Sequence, residues 1–450
     1  MKFSCVTVPR GYLLPFLAIT LFIVQLGLCL GDLPSLKLMQ QIVYKSHYGA
    51  TTDEPLPEED CLVDAVQQEL NCIIMGTLIS VTVGGALVSF PLGILANRIG
   101  RVPVLAMSIF GLCISQAYTM YVCWQWRAMP LKAIWGLGAV LLLGGGRSVA
   151  EAMVFTIISD VVPGVKRATW FQLIVAALLT AQLVSPLISV TLLKTSTWTP
   201  LFLSLGLILF GGFLVIFTPE TLPSVSSKDS VDLEAAKPAP PTLQSLKHLV
   251  SAPCLLLLPG AVWAIPLTTI QSDLFIRLMP VQFDWSLNQS AVLVSPRSLT
   301  TLTTLCLVLP VFVLLFDKFA SGQLCRLHHW LARGSALPFV TGSVCLTMIA
   351  SEKLIVAGLI ISALGSGLPT LCRAMLVTAM GGERTGSVFG VLAVGEVIGF
   401  LAFELAMGSL FGVGLRTWMG LPFCLGVVLA FGIGVTTWMV PVPRLEYTES

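Results

Sequence analysis

The chain has very little charge for its length. Only 11% of its 450 residues are Asp, Glu, Lys or Arg, whereas a soluble globular protein has about 25%. This shortage excludes an ordinary soluble enzyme and a disordered scaffold, because so few charged side chains cannot solvate the surface of such a protein. The formal net charge of +2 also provides no basic surface for DNA or RNA, so no nucleic-acid partner is expected.

Motifs of the common enzyme classes are absent as well. The sequence has no HExxH, no Walker loop, no GxSxG and no GxGxxG after a strand. Its four histidines form no metal-ligand pattern, and no CxxC occurs. We therefore predict that the chain is not an enzyme, binds no metal ion and needs no cofactor.

What the chain has instead is a series of long apolar runs. Hydrophobic residues make up 56% of it, and the mean hydropathy is +0.91. A helix needs about 20 apolar residues to cross a bilayer. The runs cover residues 12–30, 73–96, 103–123, 133–158, 168–192, 199–218, 252–276, 290–316, 334–351, 354–379, 385–413 and 417–440. They predict an all-α integral membrane protein with twelve transmembrane helices.

Two polar segments separate these runs. Residues 45–71 are rich in Asp and Glu and are predicted to form an external loop after the first helix. Residues 219–251 combine prolines with charges, a composition that cannot bury a core, and are predicted to form a cytosolic linker. The predicted domains are a six-helix bundle over 1–218, a second over 252–440, and a cytosolic tail over 441–450.

The positions of Lys and Arg predict the orientation. Cytoplasmic loops of membrane proteins carry an excess of these residues. With the N-terminus inside, fourteen of the 25 fall inside, eight outside and three within helices. Both termini are therefore predicted in the cytosol, with the plasma membrane as the expected location. On the outside, Cys61 and Cys72 could form a disulfide, and Asn288 begins a glycosylation sequon close to the membrane.

The two halves share a short motif. Residues 142–156 read LLGGGRSVAEAMVFT, and residues 363–378 read ALGSGLPTLCRAMLVT. A Gly-x-Gly followed by Ala-Met and Thr thus recurs in the fourth and the tenth apolar run. Parallel six-helix repeats are characteristic of one large class of transporters.

The turn between the second and third runs reads GILANRIGRVPVL, residues 93–105. Its glycines suit close packing and a tight turn, and its arginines would face the cytoplasm. The segment resembles the signature G-x-x-x-D-R-x-G-R-R of the major facilitator superfamily, and the matching residues are Gly93, Arg98, Gly100 and Arg101. It departs from the signature at Asn97, where the pattern has Asp, and at Val102, where it has a base.

Longer segments are similar to a fungal branch of this superfamily, several of whose members stand beside genes for small-molecule biosynthesis. These segments include DLPSLKLMQQIVY (32–44), TPETLP (218–223) and FDWSLNQSAVLVSPRSL (283–299). The resemblance implies two six-helix pseudo-repeat bundles and a monomeric rocker-switch carrier, with a small organic cargo bound near the midplane between the bundles. It implies proton-coupled efflux. A nutrient importer, or a receptor derived from the fold, stays open, the receptor because Asn97 replaces the motif aspartate.

The resemblance also implies a cytoplasmic charge relay. Asp160 ends the fourth predicted helix, and Glu220 follows the sixth. Both would pair with Arg101 and close the cytoplasmic face in one state of the transport cycle. The other interpretation is that these acids only cap helix ends.

Charged residues inside the predicted helices indicate a cargo or proton site. An arginine at a helix centre costs about 2.5–3.5 kcal/mol on insertion scales, so such a residue should face a cavity or a partner. The i, i+4 spacing allows Arg147 to meet Glu151, and Asp273 to meet Arg277. These pairs are either functional or inert structural pairs.

Other intramembrane charges have no partner of opposite sign nearby on their own helix. Arg297 and Arg373 would need one from another helix, from water or from cargo. Glu396 and Glu404 lie roughly on one face of the eleventh helix, with no base within four residues. A carboxyl group isolated in a medium of low dielectric constant can hold a proton near neutral pH, so these two acids are the predicted proton-coupling residues.

Overall fold

A computed structural model describes residues 9, 12–48, 59–162, 164–221, 252–312, 315, 324–349, 351–379 and 385–441. These residues form helices and the turns between them, and no strand occurs among them. The predicted linker 219–251 and the tail 441–450 lie almost entirely outside the described residues.

Helices α1 to α7 form the first part of the chain. They are α1 (Leu13–Tyr48), α2 (Asp64–Ile99), α3 (Arg101–Trp124), α4 (Leu137–Leu141), α5 (Gly146–Val161), α6 (Gly164–Leu193) and α7 (Trp198–Val215). Short 3-10 helices, Glu59–Leu62 and Leu131–Gly136, precede α2 and α4.

Helices α8 to α16 follow the predicted linker. They are α8 (Ala252–Val262), α9 (Ala264–Phe283), α10 (Leu287–Val292), α11 (Val294–Thr303), α12 (Leu324–Leu346), α13 (Glu352–Leu364), α14 (Gly367–Ala379), α15 (Thr385–Gly414) and α16 (Leu421–Met439). A π-helical segment, Thr304–Val308, continues α11.

Eleven helical stretches within the described residues are long and apolar enough to cross a membrane. They coincide with eleven of the twelve predicted runs. The remaining run, 334–351, overlaps α12, which has 23 residues but carries His328, His329 and Arg333 and is therefore less apolar. The predicted all-α membrane fold is confirmed.

Helix α1 extends well beyond the predicted run of 12–30. Its apolar side chains Leu38, Ile42 and Val43 are buried in a cluster with Ile73 of α2. Burial therefore continues at helical spacing past Asp32 and past Pro34, which lies inside the helix. As a result, the described residues at both ends of the predicted loop 45–71 are largely helical.

The chain separates into two compact units. The first contains the described residues within Met1–Ser224, with Phe275–Leu299 and Phe411–Thr417. The second contains the described residues within Val225–Leu274, Thr300–Leu410 and Trp418–Ser450. In the first unit, one core cluster includes Leu17, Ile109, Ile157 and Ile208, and another includes Ile42, Ile73, Ile134 and Leu201.

Within the second unit, an arginine fixes the end of the last helix. Arg333 Nη2 of α12 donates to the carbonyl oxygens of Trp438 at 3.0 Å and Val440 at 2.9 Å. Its guanidinium also lies 5.5 Å from the ring centres of both Trp330 and Trp438. The terminal carbonyl groups of α16, which lack helical partners, are thereby satisfied by a side chain.

Candidate functional site

The stretch Leu131–Ile158 is interrupted at its centre. Helix α4 ends at Leu141 and α5 begins at Gly146, and Gly145 and Gly146 have φ angles of +73° and +65°. These are left-handed conformations that favour glycine. A Cβ on Gly144 would lie 2.3 Å from the carbonyl oxygen of Met107 in α3. The three glycines therefore break the helix and let the break lie directly against α3.

Helix α5 begins with the predicted charged pair. Arg147 Nε donates to Glu151 Oε1 at 2.8 Å, so the contact expected from the i, i+4 spacing is confirmed. The two side chains are 51% and 39% exposed, although they belong to a candidate membrane span. Both line a small, partly open pocket. Its other walls come from α1, α3, α5 and α6 and are apolar except for Gln25, and they include Leu28, Leu112, Phe155 and Leu178.

Helix α1 adds polar groups to this pocket. Gln25 lines it and donates through Nε2 to Cys29 Sγ at 3.0 Å. Gln25, Leu28 and Asp32 recur at helical spacing on one side of α1, and the side chain of Asp32 is exposed. The sequence-based prediction missed Gln25 and Asp32. The signal for Asp32 was the apolar pattern that continues to Val43, because it puts this acid inside the helix rather than at its end.

Close contact with α7 holds α1 in place. Ser204 Oγ donates to the carbonyl oxygen of Gly27 at 2.7 Å. A Cβ on Gly27 would come within 3.0 Å of the carbonyl oxygen of Ser204, so the two helices are at backbone contact distance. The polar side of α1 is therefore fixed on a rigid helix pair.

The turn between α2 and α3 contains the segment that resembles the family signature. Arg101 Nε lies 3.4 Å from Asp160 Oδ2, and the side chains are 16% and 21% exposed. The Glu220 carboxylate accepts the backbone N–H groups of Arg101 at 2.9 Å and Val102 at 3.2 Å. Glu220 thereby caps the N-terminus of α3, where a negative charge is favourable. Asp160 therefore forms an ion pair with Arg101, and Glu220 caps the helix that begins at Arg101.

The other residues of that motif are Gly93, Asn97, Arg98 and Gly100. Gly100 has a φ angle of +115°, as a tight turn requires. A Cβ on Gly93 would meet no described atom within 4 Å, so the expected close packing at Gly93 stays a prediction. Arg98 is exposed in the last turn of α2, where a positive charge suits the helix C-terminus. The side chain of Asn97 lies outside the described residues.

In the second unit, Arg373 of α14 forms an ion pair with Glu396 of α15. Arg373 Nε also donates to the carbonyl oxygen of Ala261, in α8, at 2.9 Å. The expected partner for Arg373 thus comes from another helix. Glu396 has no base nearby on its own helix, as the sequence shows, and a neighbouring helix supplies one, which spacing along one helix cannot show.

Glycines bring α15 against the junction of α8 and α9. A Cβ on Gly395 would lie 2.8 Å from Val262 Cγ1, and one on Gly399 would lie 2.9 Å from Trp263 Cδ1. Trp263 is the residue between the two helices. The Gly395–Gly399 pair is therefore a close-packing site, as its GxxxG spacing predicts.

The tenth predicted run is also interrupted, by a shorter break in which Gly365 keeps a right-handed conformation. Helix α13 ends at Leu364 and α14 begins at Gly367. A Cβ on Gly365, in the break, would lie 2.8 Å from the backbone nitrogen of Phe339 in α12. The motif shared by the two halves thus corresponds to a shared structural feature, a broken span.

The remaining predicted charges differ in burial. Glu404 on α15 is buried, with 4% exposure, whereas Asp273 on α9 and Arg297 on α11 are half-buried. Arg147, Glu151 and Arg297 belong to the first unit, and Asp273, Arg373, Glu396 and Glu404 to the second.

Arg277 has partners that the sequence-based prediction missed. Its Nη1 donates to Asn71 Oδ1, in α2, at 2.7 Å. Its guanidinium lies 5.5 Å from the ring centre of Phe411, and the residue is 5% exposed. Nearby in sequence, Arg416 Nη2 donates to Gln68 Oε1 at 2.5 Å. Within the first unit, α2 is therefore hydrogen-bonded to two arginines that lie more than 200 residues further along the chain.

The structure shows the surroundings of two predicted modification sites. Cys61 is buried and Cys72 is exposed, and both are free cysteines in the structure, so the disulfide stays a prediction. The two lie in opposite environments, which spacing alone did not show. Asn288 lies in the first turn of α10, and Ser290 of its sequon is fully buried, with Oγ donating to the Ser286 carbonyl oxygen at 3.1 Å.

The sequence model of the Major Facilitator Superfamily matches residues 62–328, more than half of the chain. The chain belongs to the major facilitator superfamily. It is similar to the MFS efflux pump atnC of Emericella nidulans, with 27% identity over 444 residues that cover 94% of this chain and 86% of that one. It is also similar to the efflux pump ustT of Aspergillus flavus, with 26% identity over 411 residues that cover 84% and 79%.

Solved structures of the superfamily share the fold. The human organic anion transporter MFSD10 (TETRAN) matches with a TM-score of 0.58 and 18% identity, over 96% of this chain and all of that one. A D-xylose-proton symporter matches with a TM-score of 0.59 and 16% identity, over 94% and 98%. The predicted resemblance to fungal efflux carriers of this superfamily is thus confirmed, and the chain is a multi-pass membrane transporter rather than an enzyme.

Proposed function

We propose that this transporter exports a small organic molecule and is driven by the proton gradient. The observation that carries the proposal is the Arg147–Glu151 pair on the wall of an otherwise apolar pocket. A charged pair within a membrane span is tolerated where it faces a cavity. Apolar walls with a few polar groups are the usual lining of a small-molecule site.

The similarity to fungal efflux pumps supports the direction. The cargo that we propose is a fungal secondary metabolite or another toxic compound, because export of such molecules protects the cell that contains them. The proposed location is the plasma membrane, with both termini in the cytosol and one chain as the working unit.

Proton coupling requires a carboxyl group that binds and releases a proton during each cycle. One charge that moves through about 100 mV yields about 2.3 kcal/mol, enough to drive a substantial cargo gradient. Glu404 and Glu396 of α15 are the proposed coupling residues. Glu404 is buried, and Glu396 would have to exchange its contact with Arg373 for a proton.

Flux in sealed proteoliposomes tests this function. Purified full-length protein is reconstituted, a pH gradient is imposed, and the movement of a panel of amphipathic compounds is followed with and without a protonophore. We expect at least one compound to move against its gradient while protons move the other way. Arg147→Leu should abolish this flux, whereas Arg127→Leu, which removes an exposed arginine outside the pocket, should not.

Two other outcomes would each favour an alternative function. Cargo that moves in the same direction as protons would indicate an importer of the same fold. A correctly folded protein that moves no compound, with cargo gradients or without them, would favour a receptor.

A further inference from the structure

Two arginines of α12 carry positive charge that no acid within α12 or α16 balances. The two helices pack against each other, and neither contains Asp or Glu. Arg333 Nη2 donates to the carbonyl oxygens of Trp438 and Val440, and these groups carry no net charge. The ion pairs between described residues involve neither Arg326 nor Arg333. Both guanidinium charges therefore remain available to an anion.

These arginines belong to an uncovered stripe of α12. The stripe recurs at spacings of four, three and four residues, as one side of a helix does, and consists of Arg326, Trp330, Arg333 and Leu337. Trp330 and Leu337 are exposed, and the two arginines are half-buried. A Cβ on Gly334, beside Arg333, would meet no described atom within 4 Å. An elongated molecule can therefore lie along this side of the helix.

Helix α16 continues the same surface. Its end meets Arg333, and a Cβ on Gly434 would lie 3.0 Å from Val340 Cγ2 of α12, so the two helices run antiparallel. The Arg333 guanidinium lies 5.5 Å from the ring centres of both Trp330 and Trp438. Beyond this level, both helices expose apolar side chains, such as Leu337 and Phe431. Charge and tryptophan at one level with apolar groups beyond it match the boundary between lipid headgroups and acyl chains.

We propose that the surface formed by Arg326, Trp330, Arg333, Leu337 and Trp438 binds one anionic phospholipid. The phosphate would accept N–H groups of the two arginines in charge-assisted hydrogen bonds, and an acyl chain would lie over Leu337. The arginines are seven residues apart, a rise of about 10 Å, which a headgroup and the long side chain of Arg326 can span together.

The predicted orientation agrees with this ligand. With both termini in the cytosol, the start of α12 and the end of α16 lie at the cytoplasmic leaflet. Anionic lipids give that leaflet its negative surface potential, and basic pockets between transmembrane helices there bind anionic headgroups. The proposal goes beyond the transport function, because it concerns a lipid on the outer surface of the helices and not the cargo.

The alternative is that the arginines only anchor helix ends in any bilayer. Such an anchor extends its charged group into water along an apolar stem and needs no particular lipid. Arg333 is instead held by two carbonyl oxygens and lies close to two tryptophan rings. A group that is already fixed loses little entropy when a ligand binds. The geometry therefore favours a lipid site over a simple anchor.

Two phospholipids with identical acyl chains provide the test. The purified full-length protein in detergent is mixed with phosphatidylglycerol or with zwitterionic phosphatidylcholine, and the bound lipids are counted by native mass spectrometry. We expect the wild type to bind the first phosphatidylglycerol about tenfold more tightly than phosphatidylcholine. Arg326→Gln and Arg333→Gln should each reduce this preference several-fold. Arg326→Lys, which keeps the charge, should retain most of it.

Arg127→Gln is the matched control. Arg127 is also exposed beside a tryptophan, with its guanidinium 5.3 Å from the ring centre of Trp126, but it lies outside this surface, so the preference should be unchanged. Equal binding of the two lipids by the wild type, or a preference that survives both Arg326→Gln and Arg333→Gln, would overturn the proposal. An equal loss in Arg127→Gln would do so too, because it would indicate unspecific attraction. Full displacement of the lipid by inorganic phosphate would assign the surface to a soluble phosphate instead.

Discussion

The interrupted spans of the two units carry the same motif but hold their charges differently. In 131–158 the break is followed by Arg147 and Glu151, which pair within one helix and are 51% and 39% exposed. In 352–376 the break is followed by Arg373, which pairs with Glu396 of another helix and donates to the carbonyl oxygen of Ala261. Its side chain and that of Glu396 are about a quarter exposed.

This difference indicates that Arg147 and Glu151 belong to a candidate binding site, whereas Arg373 and Glu396 stabilise the packing of helices. A pair within one helix fixes no neighbouring element, so it can turn toward a ligand. Arg373 instead connects α14 with α8 and α15, so its charge has a structural task. The repeated backbone break is therefore used once to open a pocket and once to anchor three helices.

The largest expected effect comes from the glycines at the breaks. Gly144→Ala places a Cβ 2.3 Å from the carbonyl oxygen of Met107, and Gly365→Ala places one 2.8 Å from the backbone nitrogen of Phe339. Overpacking of this kind costs about 1–3 kcal/mol. We expect both variants to lower the yield of folded protein and its melting temperature in detergent.

Gly206→Ala and Gly432→Ala are the controls for the two units, since a Cβ at either position meets no described atom within 4 Å. Each should be neutral or slightly stabilising, because alanine is favoured over glycine in a helix. Wild-type stability of Gly144→Ala alongside an unstable Gly365→Ala would show that the two breaks are not equivalent.

The next largest effect on stability distinguishes the Arg373–Glu396 pair from the Arg147–Glu151 pair. Arg373→Leu leaves Glu396 without this partner inside a span, and we expect a loss of about 1–3 kcal/mol, the cost of an unsatisfied group that is mostly removed from water. Arg147→Leu should change stability by less than about 1 kcal/mol, as for an exposed pair, while it abolishes flux. Thermal unfolding in detergent checks the first claim and vesicle flux the second.

The double variant Arg373→Leu with Glu396→Leu sharpens this comparison. Replacing both members of a buried pair by apolar side chains is often tolerated, so it should recover much of the stability that Arg373→Leu loses. A double variant as unstable as Arg373→Leu would mean that the contact with Ala261, rather than the ion pair, carries the effect.

A third comparison sets an acid of the pocket against the acids of α15. Glu151→Gln should weaken cargo binding, because Arg147 loses the group that orients it. Glu404→Gln or Glu396→Gln should leave cargo exchange in place and remove the dependence of flux on external pH. The measurement is flux against pH in sealed vesicles. Unchanged pH dependence in both α15 variants would move the coupling acid elsewhere, with Asp273 as the next candidate.

The smallest expected effect on stability is at the turn between α2 and α3. Arg101 contacts Asp160, near the end of helix α5, whose first turn contains Arg147. Arg101→Ala should cost less than about 1 kcal/mol of stability, yet it should reduce flux by shifting the conformational balance by about 1–3 kcal/mol. Arg98→Ala, at an exposed position of the same turn, is the control, and equal flux in both would show that Arg101 only anchors the turn.

Contacts within one helix or at a helix end could be predicted from the sequence. The long apolar runs predicted the spans, and the i, i+4 spacing predicted the contact of Arg147 with Glu151. The motif in the turn predicted that Arg101 would meet Asp160. Each of these depends on local geometry or on a recognisable pattern.

Contacts between distant helices could not be predicted in the same way. Nothing in the spacing of Arg373 indicates Glu396 or Ala261, and nothing near Asn71 indicates Arg277. These pairs depend on which faces of two helices meet. Asp32 was missed for a different reason: the apolar run was taken to end where the first acid appears, although the helix continues with buried residues to Val43.

The contact of Arg333, in α12, with the end of α16 affects how this transporter fits the thickness of the surrounding bilayer. Helix α16 has 19 residues and is therefore about 28 Å long, close to the roughly 30 Å thickness of the hydrocarbon layer. Arg333 and the two tryptophans beside it are residue types that anchor a helix end at the headgroup level. Because one end of α16 is fixed and the helix is no longer than the hydrocarbon layer, α16 cannot slide to match a thicker bilayer. Tilting would only shorten the distance that it spans across the bilayer. Hydrophobic mismatch in thicker bilayers should therefore strain α16 before α1, which has 36 residues, and flux should fall as the acyl chains of the vesicle lipid are lengthened.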